Sequence, residues 1–150
     1  WTPRIRIFDL HTRPYPESKL MKSQYSIDVE HALIHKRHIG VITVEEEIEL
    51  VDTVLSDPTY RKGMNSLCDF SEASVNWSLD DLDRYRSYVT RIKKVTGKCK
   101  WAIIFPSGKD NSTARMFVAL HEAFQDTISV KLFNDATEAM DWLQEVNVRP

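Results

Sequence analysis

Segments with strand-like and helix-like hydrophobic patterns alternate along most of this chain, and this alternation is the strongest constraint on its fold. The pattern predicts strands over Gln24–Val29, Ala32–Ile39, Met64–Phe70, Trp101–Phe105 and Val130–Phe133. Helical patterns lie between the later strands and after the last one, which gives the order ββαβαβαβα. Parallel strands need crossover connections, which helices normally provide. The sequence therefore predicts an α/β fold with a mixed, mostly parallel sheet flanked by helices, in which the first two strands pair antiparallel.

The predicted helix starts coincide with residues that cap helices. Thr43 and Glu46 have the spacing of a capping box, in which each side chain hydrogen-bonds to the backbone N–H of the other residue. The helix that follows has one apolar face and ends before Pro58, because the residue preceding a proline avoids the helical conformation. The other three helices are expected from Ser78 to Gly97, over Thr113–Gln125, and after Asp135.

The first 22 residues differ from the rest of the chain. They contain three of its six prolines and are locally basic. Thr12–Lys19 is predicted to be an irregular connector, since proline fixes φ and removes a backbone donor. The alternation of basic and apolar residues over Arg4–Ile7 indicates a short edge strand. We therefore expect an N-terminal extension over residues 1–22 and a single domain over residues 23–150.

Charge and cysteine content argue against several classes of protein. The chain has 20 basic and 22 acidic residues and a formal charge of −2, which argues against a protein that mainly holds nucleic acid. No apolar run approaches the roughly 20 residues of a membrane span. Two cysteines are too few for a disulfide framework and fit a reducing compartment. A cytoplasmic protein without a nucleic-acid partner or membrane span is therefore expected.

Nucleotide-binding motifs and catalytic pairs are not found in the sequence. The triplet Ser107-Gly108-Lys109 lacks the upstream glycine of a phosphate-binding loop. No acid and base stand at a recognisable spacing, and no histidine lies near Ser71 in the sequence to activate it. We therefore expect no cofactor and no catalytic residues.

Three histidines, His31, His35 and His38, lie close together in the sequence. On a helix His31 and His35 would share one face and could bind zinc. On a strand they would lie about 13 Å apart, and His38 would point to the opposite face. The strand pattern therefore favours a solvated or edge-strand face without a metal site. His121 is expected to be a structural histidine at the margin of the core.

Both cysteines are expected to be buried and unreactive. Cys68 is predicted near the carboxyl end of its strand and Cys99 just before the start of the next one. In a parallel sheet this separation exceeds the ~7 Å between Cα atoms that a disulfide tolerates. A redox pair is therefore not predicted.

The segment from Asp69 to Ser78 is the candidate site, because it follows a buried strand and precedes a helix. Ligands and partners of open α/β sheets usually bind at the carboxyl ends of the strands. Trp77 would provide a large amphipathic surface of the kind that anchors interfaces. In the alternative interpretation Asp69 and Ser71 only stabilise the turn, and Trp77 packs back onto the core. The predicted partner- or ligand-binding residues are Asp69, Ser71, Ser74, Asn76, Trp77 and Ser78.

Several short motifs follow one another from about Ser23 to Gln144. They are Ile39–Thr43, Leu55–Gly63, Leu67–Phe70, Ala114–Phe117, Val130–Asp135 and Ala139–Leu143. Their order and spacing resemble the SpoIIAA-like family. The resemblance implies the fold of STAS (sulfate transporter and anti-sigma antagonist) domains, a mixed sheet flanked by helices, which is similar to that of CRAL-TRIO lipid-transfer domains.

The resemblance also implies two functions. In bacterial anti-sigma antagonists a D-L-S-like strand end is followed by a D-S-[ST]-G phosphoacceptor. Asp69-Phe-Ser71 is similar to the first part, but the chain has Val75-Asn-Trp-Ser78 in place of the second. We therefore expect a non-enzymatic regulatory or protein-binding domain, rather than the sigma-factor switch. The alternative, implied by the similarity to lipid-transfer domains, is a carrier or sensor of a small hydrophobic or anionic ligand.

A homodimer is also expected. The third predicted helix carries Phe117, His121 and Phe124, and the last carries Met140 and Trp142. Together they offer more apolar surface than one sheet face absorbs, and surplus apolar surface favours association.

Overall fold

Six strands form one sheet whose spatial order follows the chain order within the described residues. The computed structural model describes residues 4–6, 23–106, 108–124 and 127–145. The strands are β1 (Arg4–Arg6), β2 (Ser23–Asp28), β3 (Leu33–Val41), β4 (Asn65–Ser74), β5 (Cys99–Ile104) and β6 (Ile128–Phe133). The helices are α1 (Val44–Leu55), α2 (Leu79–Thr96), α3 (Ser112–Phe124) and α4 (Ala136–Gln144).

The mixed, mostly parallel architecture is confirmed. The pairs β1–β2 and β2–β3 are antiparallel, whereas β3–β4, β4–β5 and β5–β6 are parallel. Both expected helix starts with a hydroxyl cap are present, and Thr43 with Glu46 forms the complete capping box. The short edge strand is present as β1. Residues 7–22 lie outside the described residues, so the division at residue 22 stays a prediction, as does the connector over Thr12–Lys19.

Helices cover the two faces of the sheet unequally. Apolar side chains of α1, α2 and α3 share one large core with strand residues such as Cys68, Phe70 and Ile103. On the other face, Ala139 and Leu143 of α4 pack against a smaller core from β3 to β6. This division follows from the strand pleat, which sends successive side chains to opposite faces.

Strand β4 is longer than its sequence pattern predicts. The predicted strand ended at Phe70, yet β4 continues to Ser74, so the first part of the candidate segment is strand rather than loop. The register shifts between the pairs Arg37–Asp69 and Ile39–Glu72, where two residues along β3 match three along β4. The extra residue therefore lies in β4, and pairing continues beyond it as far as Val41 and Ser74. A bulge of this kind breaks the inward–outward alternation of side chains after Phe70, so the strand pattern of β4 is lost there.

The histidine cluster is only partly as expected. His31 is exposed and His35 is half-buried, but the side chain of His38 is fully buried. The expectation of a solvated face for His38 is therefore wrong, because α1 covers this part of the sheet. His121 is buried and its Nε2 lies 2.7 Å from the carbonyl oxygen of Ile128, which fits a structural role.

The apolar residues behind the expected homodimer are largely absorbed within the chain. Phe117 and His121 are buried, and Met140 and Trp142 pack against the smaller core. The side chain of Phe124 lies outside the described residues. Self-association stays a prediction that light scattering can test.

None of the helices that the structure describes is both long enough and apolar enough to cross a membrane.

Candidate functional site

A pocket opens between the sheet and helices α2 and α3. It encloses about 470 Å³ of empty space, counting the solvent at its open mouth, and about 40 Å³ of this can hold the centre of a water molecule. That is enough for a few water molecules or one small functional group. Its lining is formed by Lys36, Glu47, Cys68, Phe70, Val75, Trp77, Tyr85, Trp101, Ile103, Phe105, Thr113, Ala114 and Phe117.

Three neighbouring strands build the floor of the pocket. Lys36 of β3 is paired in register with Cys68 of β4, which is paired with Ile103 of β5. Directly opposite residues on parallel strands point to the same face, so these side chains form one row across the sheet. The single lysine in this row places a charge in an otherwise apolar floor.

The ammonium group of Lys36 is paired with a buried carboxylate. Its Nζ lies 2.9 Å from Oε2 of Glu47, and the two side chains are only 4% and 5% exposed. Glu47 reaches the sheet from the first turns of α1, on the same helix face as the buried Val44 and Val51. The strand pleat and the helix period therefore bring both charges into the same interior.

The pairing decides the charge state of both groups. Burial alone would lower the pKa of Lys36, but the adjacent carboxylate of Glu47 raises it above its ordinary value. Burial alone would raise the pKa of Glu47, but Lys36 and His38 lower it. Each partner thus offsets the other's desolvation, and the pair stays ionised at neutral pH.

Two further groups surround the ion pair. The hydroxyl of Tyr85 on α2 donates to Oε2 of Glu47 at 3.2 Å, and burial raises the pKa of Tyr85 well above its ordinary value. Burial also raises the pKa of Cys68 to about 11, so its thiol is protonated at neutral pH. An uncharged phenol and an uncharged thiol therefore flank the pair.

His38, two residues beyond Lys36 on the same face of β3, is a further buried polar group beside the ion pair. Oγ of Ser23 lies 2.9 Å from its Nδ1, and its ring stacks on Phe70 with 4.1 Å between centroids. Its Nε2 is 3.5 Å from Oε1 of Glu47, and neither atom has a hydrogen-bond partner among the described residues. Burial lowers the pKa of His38 to about 4, so the ring is neutral at neutral pH.

Three half-buried residues mark the mouth of the pocket, since the other lining side chains are buried. They are Val75, Trp77 and Thr113. The indole Nε1 of Trp77 donates to the carbonyl oxygen of Ile42 at 2.9 Å, and its ring meets Tyr85 edge-on at 5.2 Å. These contacts hold Trp77 across the opening.

The structure disperses the predicted site residues. Trp77 is half-buried and packs against the core, as in the alternative interpretation of the sequence, and it also lines the pocket. Asp69 faces the other side of the sheet, where its Oδ1 accepts a hydrogen bond from the backbone N–H of Ser71 at 2.8 Å. Ser78 caps α2 by accepting from the N–H of Asp81. Ser74 and Asn76 are exposed.

Three residues of the pocket were not predicted from the sequence as site residues: Lys36, Glu47 and Tyr85. The sequence does contain a pattern that places Lys36 and Glu47 on inward-facing positions. Lys36 alternates with Ile34 and His38 on one strand face, and Glu47 stands three residues after Val44 on the apolar face of α1. Opposite charges on two inward faces indicate a buried pair.

The cysteines and the potential metal ligands were also considered in the sequence as candidate reactive groups. Cys68 and Cys99 are both buried and free, as expected. Among the residues that the structure describes, no three histidine, cysteine, aspartate or glutamate side chains are grouped as a metal site requires.

Comparison with known proteins adds one finding. No protein-family model matches the sequence, and no curated protein matches it. Among solved structures, the chain is similar to an uncharacterised protein of the DUF3478 family from Shewanella loihica PV-4, which has a SpoIIAA-like fold. The two share 19% identity with a TM-score of 0.53, over 86% of this chain and 99% of that one. This chain therefore has a SpoIIAA-like fold, as its motifs imply.

Proposed function

We propose that this domain is a carrier or sensor of a small, largely apolar ligand held between the sheet and helices α2 and α3. The observation that carries the proposal is the apolar pocket with a single ion pair, Lys36–Glu47, at its floor. Small-molecule sites are typically concave and mostly apolar, with a few polar groups that orient the ligand.

The ion pair is hard to explain as a stabilising device alone. A buried pair is often no better for stability than apolar side chains of similar volume, because both charges lose their hydration. The floor around Lys36 is otherwise apolar, so an aliphatic residue there would complete the core. Recognition of a ligand would explain why a charged pair lies at this position instead of apolar side chains.

The dimensions of the pocket limit how a ligand can enter. The interior accommodates only a small group, since the larger volume of the pocket includes the solvent at its open mouth. We expect the polar end of the ligand to reach the floor and its apolar body to lie against Trp77 and Phe117. A larger body would require Trp77 or α3 to move outward.

Native mass spectrometry of the freshly purified full chain tests this proposal. We expect a bound species of a few hundred daltons or smaller that is released by mild collisional activation. Val75→Phe fills the mouth and should abolish the adduct, whereas Val95→Phe, at a half-exposed position on the last turns of α2, should retain it. The proposal fails if wild type carries no adduct and takes up no apolar compound on titration.

A second candidate function is regulation through a protein partner at the segment from Asp69 to Ser78. It is favoured by two strongly exposed apolar side chains that flank the segment, Val41 at 60% and Leu79 at 72%. Val41 is paired with the exposed Ser74, and Leu79 follows the cap of α2. Apolar residues among small polar ones are common at interfaces.

Leu79→Ser tests this second candidate. The variant should lose an interaction that wild type shows in a quantitative pull-down. The matched control is Val95→Ser, which removes an exposed apolar residue about 24 Å further along α2. Equal recovery of every partner by the two variants would count against this surface.

A further inference from the structure

We infer that the buried end of the ligand is a neutral oxygen acceptor, such as a ketone, ester or alcohol oxygen, and not a carboxylate. This inference rests on the proposed function and specifies what the floor of the pocket recognises. Of the hydrophobic or anionic ligands expected from the sequence, only those with an uncharged buried end then remain.

The charges at the floor of the pocket balance each other. Lys36 and Glu47 are one cation and one anion in direct contact, and they neutralise each other. The other polar groups around them, Cys68, Tyr85 and His38, are uncharged at neutral pH. A ligand carboxylate would bring an uncompensated negative charge into this interior, next to Glu47, at a large desolvation cost.

Lys36 has more N–H donors than its contact with Glu47 uses. A lysine ammonium has three N–H donors. Glu47 accepts one of them, and Cys68 is the neighbour of Lys36 across the floor, paired with it in register. The remaining capacity of Lys36 favours a hydrogen-bond acceptor on the ligand.

Tyr85 does not compete with Lys36 for a hydrogen-bond acceptor on the ligand. Its hydroxyl proton is donated to Glu47, so the phenol oxygen can accept but not donate. Oε2 of Glu47 already accepts from both Lys36 and Tyr85. Among Lys36, Glu47 and Tyr85, only Lys36 therefore has a hydrogen-bond donor available to the ligand.

The walls specify the rest of the ligand. Phe70 and Phe105 stack with 5.0 Å between their ring centroids, and Phe117 lies 5.3 Å from Tyr85. Trp77 closes the row of aromatic rings at the mouth. Flat or ring-shaped apolar bodies match these surfaces, since aromatic pairs favour offset and edge-to-face contact.

Three isosteric compounds test the inference on the full chain. Acetophenone carries a neutral carbonyl, benzoate carries a carboxylate, and cumene (isopropylbenzene) carries neither. Affinities come from NMR titrations that follow the indole N–H of Trp77. We expect acetophenone to bind about tenfold more tightly than cumene, through a charge-assisted hydrogen bond, and benzoate to bind most weakly.

A double substitution shows which group of the protein recognises the polar end of the ligand. Lys36→Met alone would leave Glu47 buried and unpaired, so the test variant is Lys36→Met with Glu47→Gln, which removes both charges. We expect its affinities for acetophenone and cumene to become nearly equal. Lys98→Met, which changes an exposed lysine, should keep the wild-type preference.

The outcomes separate the inference from the proposed function. Tightest binding of benzoate, or an unchanged preference for acetophenone in the double variant, would overturn the inference while leaving a ligand-binding pocket in place. Failure of all three compounds to bind wild type at Trp77 would instead overturn the proposed function.

Discussion

Lys36 and Glu47 are the two residues whose burial most needs a partner. Each is almost completely removed from solvent and depends on the other to remain charged. We expect Lys36→Met to lower the free energy of unfolding by about 3–5 kcal/mol, because it leaves an unpaired carboxylate inside the protein. Urea denaturation at neutral pH measures this loss.

The double variant Lys36→Met with Glu47→Gln is the internal control for that experiment. It should lose clearly less stability than Lys36→Met alone, because no isolated charge remains buried. The loss in the double variant is compared with the losses in Lys36→Met and Glu47→Gln measured singly. If it equals their sum, the two residues act independently, contrary to the contact at 2.9 Å.

His38 makes the stability of the fold depend on pH. Its pKa is lowered by burial from an ordinary 6.5 to about 4, although Glu47 opposes the shift. Between pH 6.5 and pH 4 the unfolded chain therefore gains a proton that the folded chain does not bind. The free energy of unfolding should fall by about 3 kcal/mol as the pH falls through this window, and the contribution is fully present above it.

Chemical denaturation of wild type and His38→Gln across pH 4–7 tests this prediction. Burial also lowers the pKa of His35 and His121, but both residues are retained in the variant. The difference between the two curves therefore isolates His38. Parallel curves would mean that His38 titrates normally in the folded protein.

At the scale of single elements, α2 has the most clearly encoded boundaries. The hydroxyl of Ser78 accepts from the N–H of Asp81 at 3.1 Å, and the Asp81 carboxylate accepts from the N–H of Ser78. We expect Ser78→Ala to cost about 1 kcal/mol of stability, measured by thermal or urea unfolding. Ser87→Ala, at an exposed position inside the same helix, should be nearly neutral; an equal loss in both variants would contradict the capping role.

The elements that the sequence predicts well are those with local determinants. Caps such as Ser78 act within one helical turn, and the apolar periods of α1 to α4 are complete within each segment. The extension of β4 to Ser74 could not be predicted, because it depends on pairing with β3 that continues past an extra residue in β4 as far as Val41 and Ser74. The apolar pattern of one segment alone does not specify such pairing with a distant segment.

The site was predicted less completely than the fold for a related reason. Trp77 was found because its residue type is unusual beside small polar residues. Lys36 and Glu47 were not, because a lysine on a strand or a glutamate in the first turn of a helix is normally solvated. Their role arises only when α1 is placed on β3.

At the scale of the whole molecule, the pocket combines parts of the chain that are distant in sequence. The floor comes from β3, β4 and β5, the walls from α2 and α3, and Glu47 from α1. A ligand in this position would contact both the sheet and the helices. Its binding should therefore stabilise the fold as a unit, by an amount that grows with ligand concentration relative to Kd.

The most direct test of the central claim is to locate the ligand. We would record isotope-filtered NOE spectra of the labelled 150-residue chain with unlabelled acetophenone. A ligand in the pocket should show NOEs both to Ile103 on the floor and to Phe117 on α3. NOEs confined to Val41 and Leu79 would place the compound on the outer edge and contradict the account.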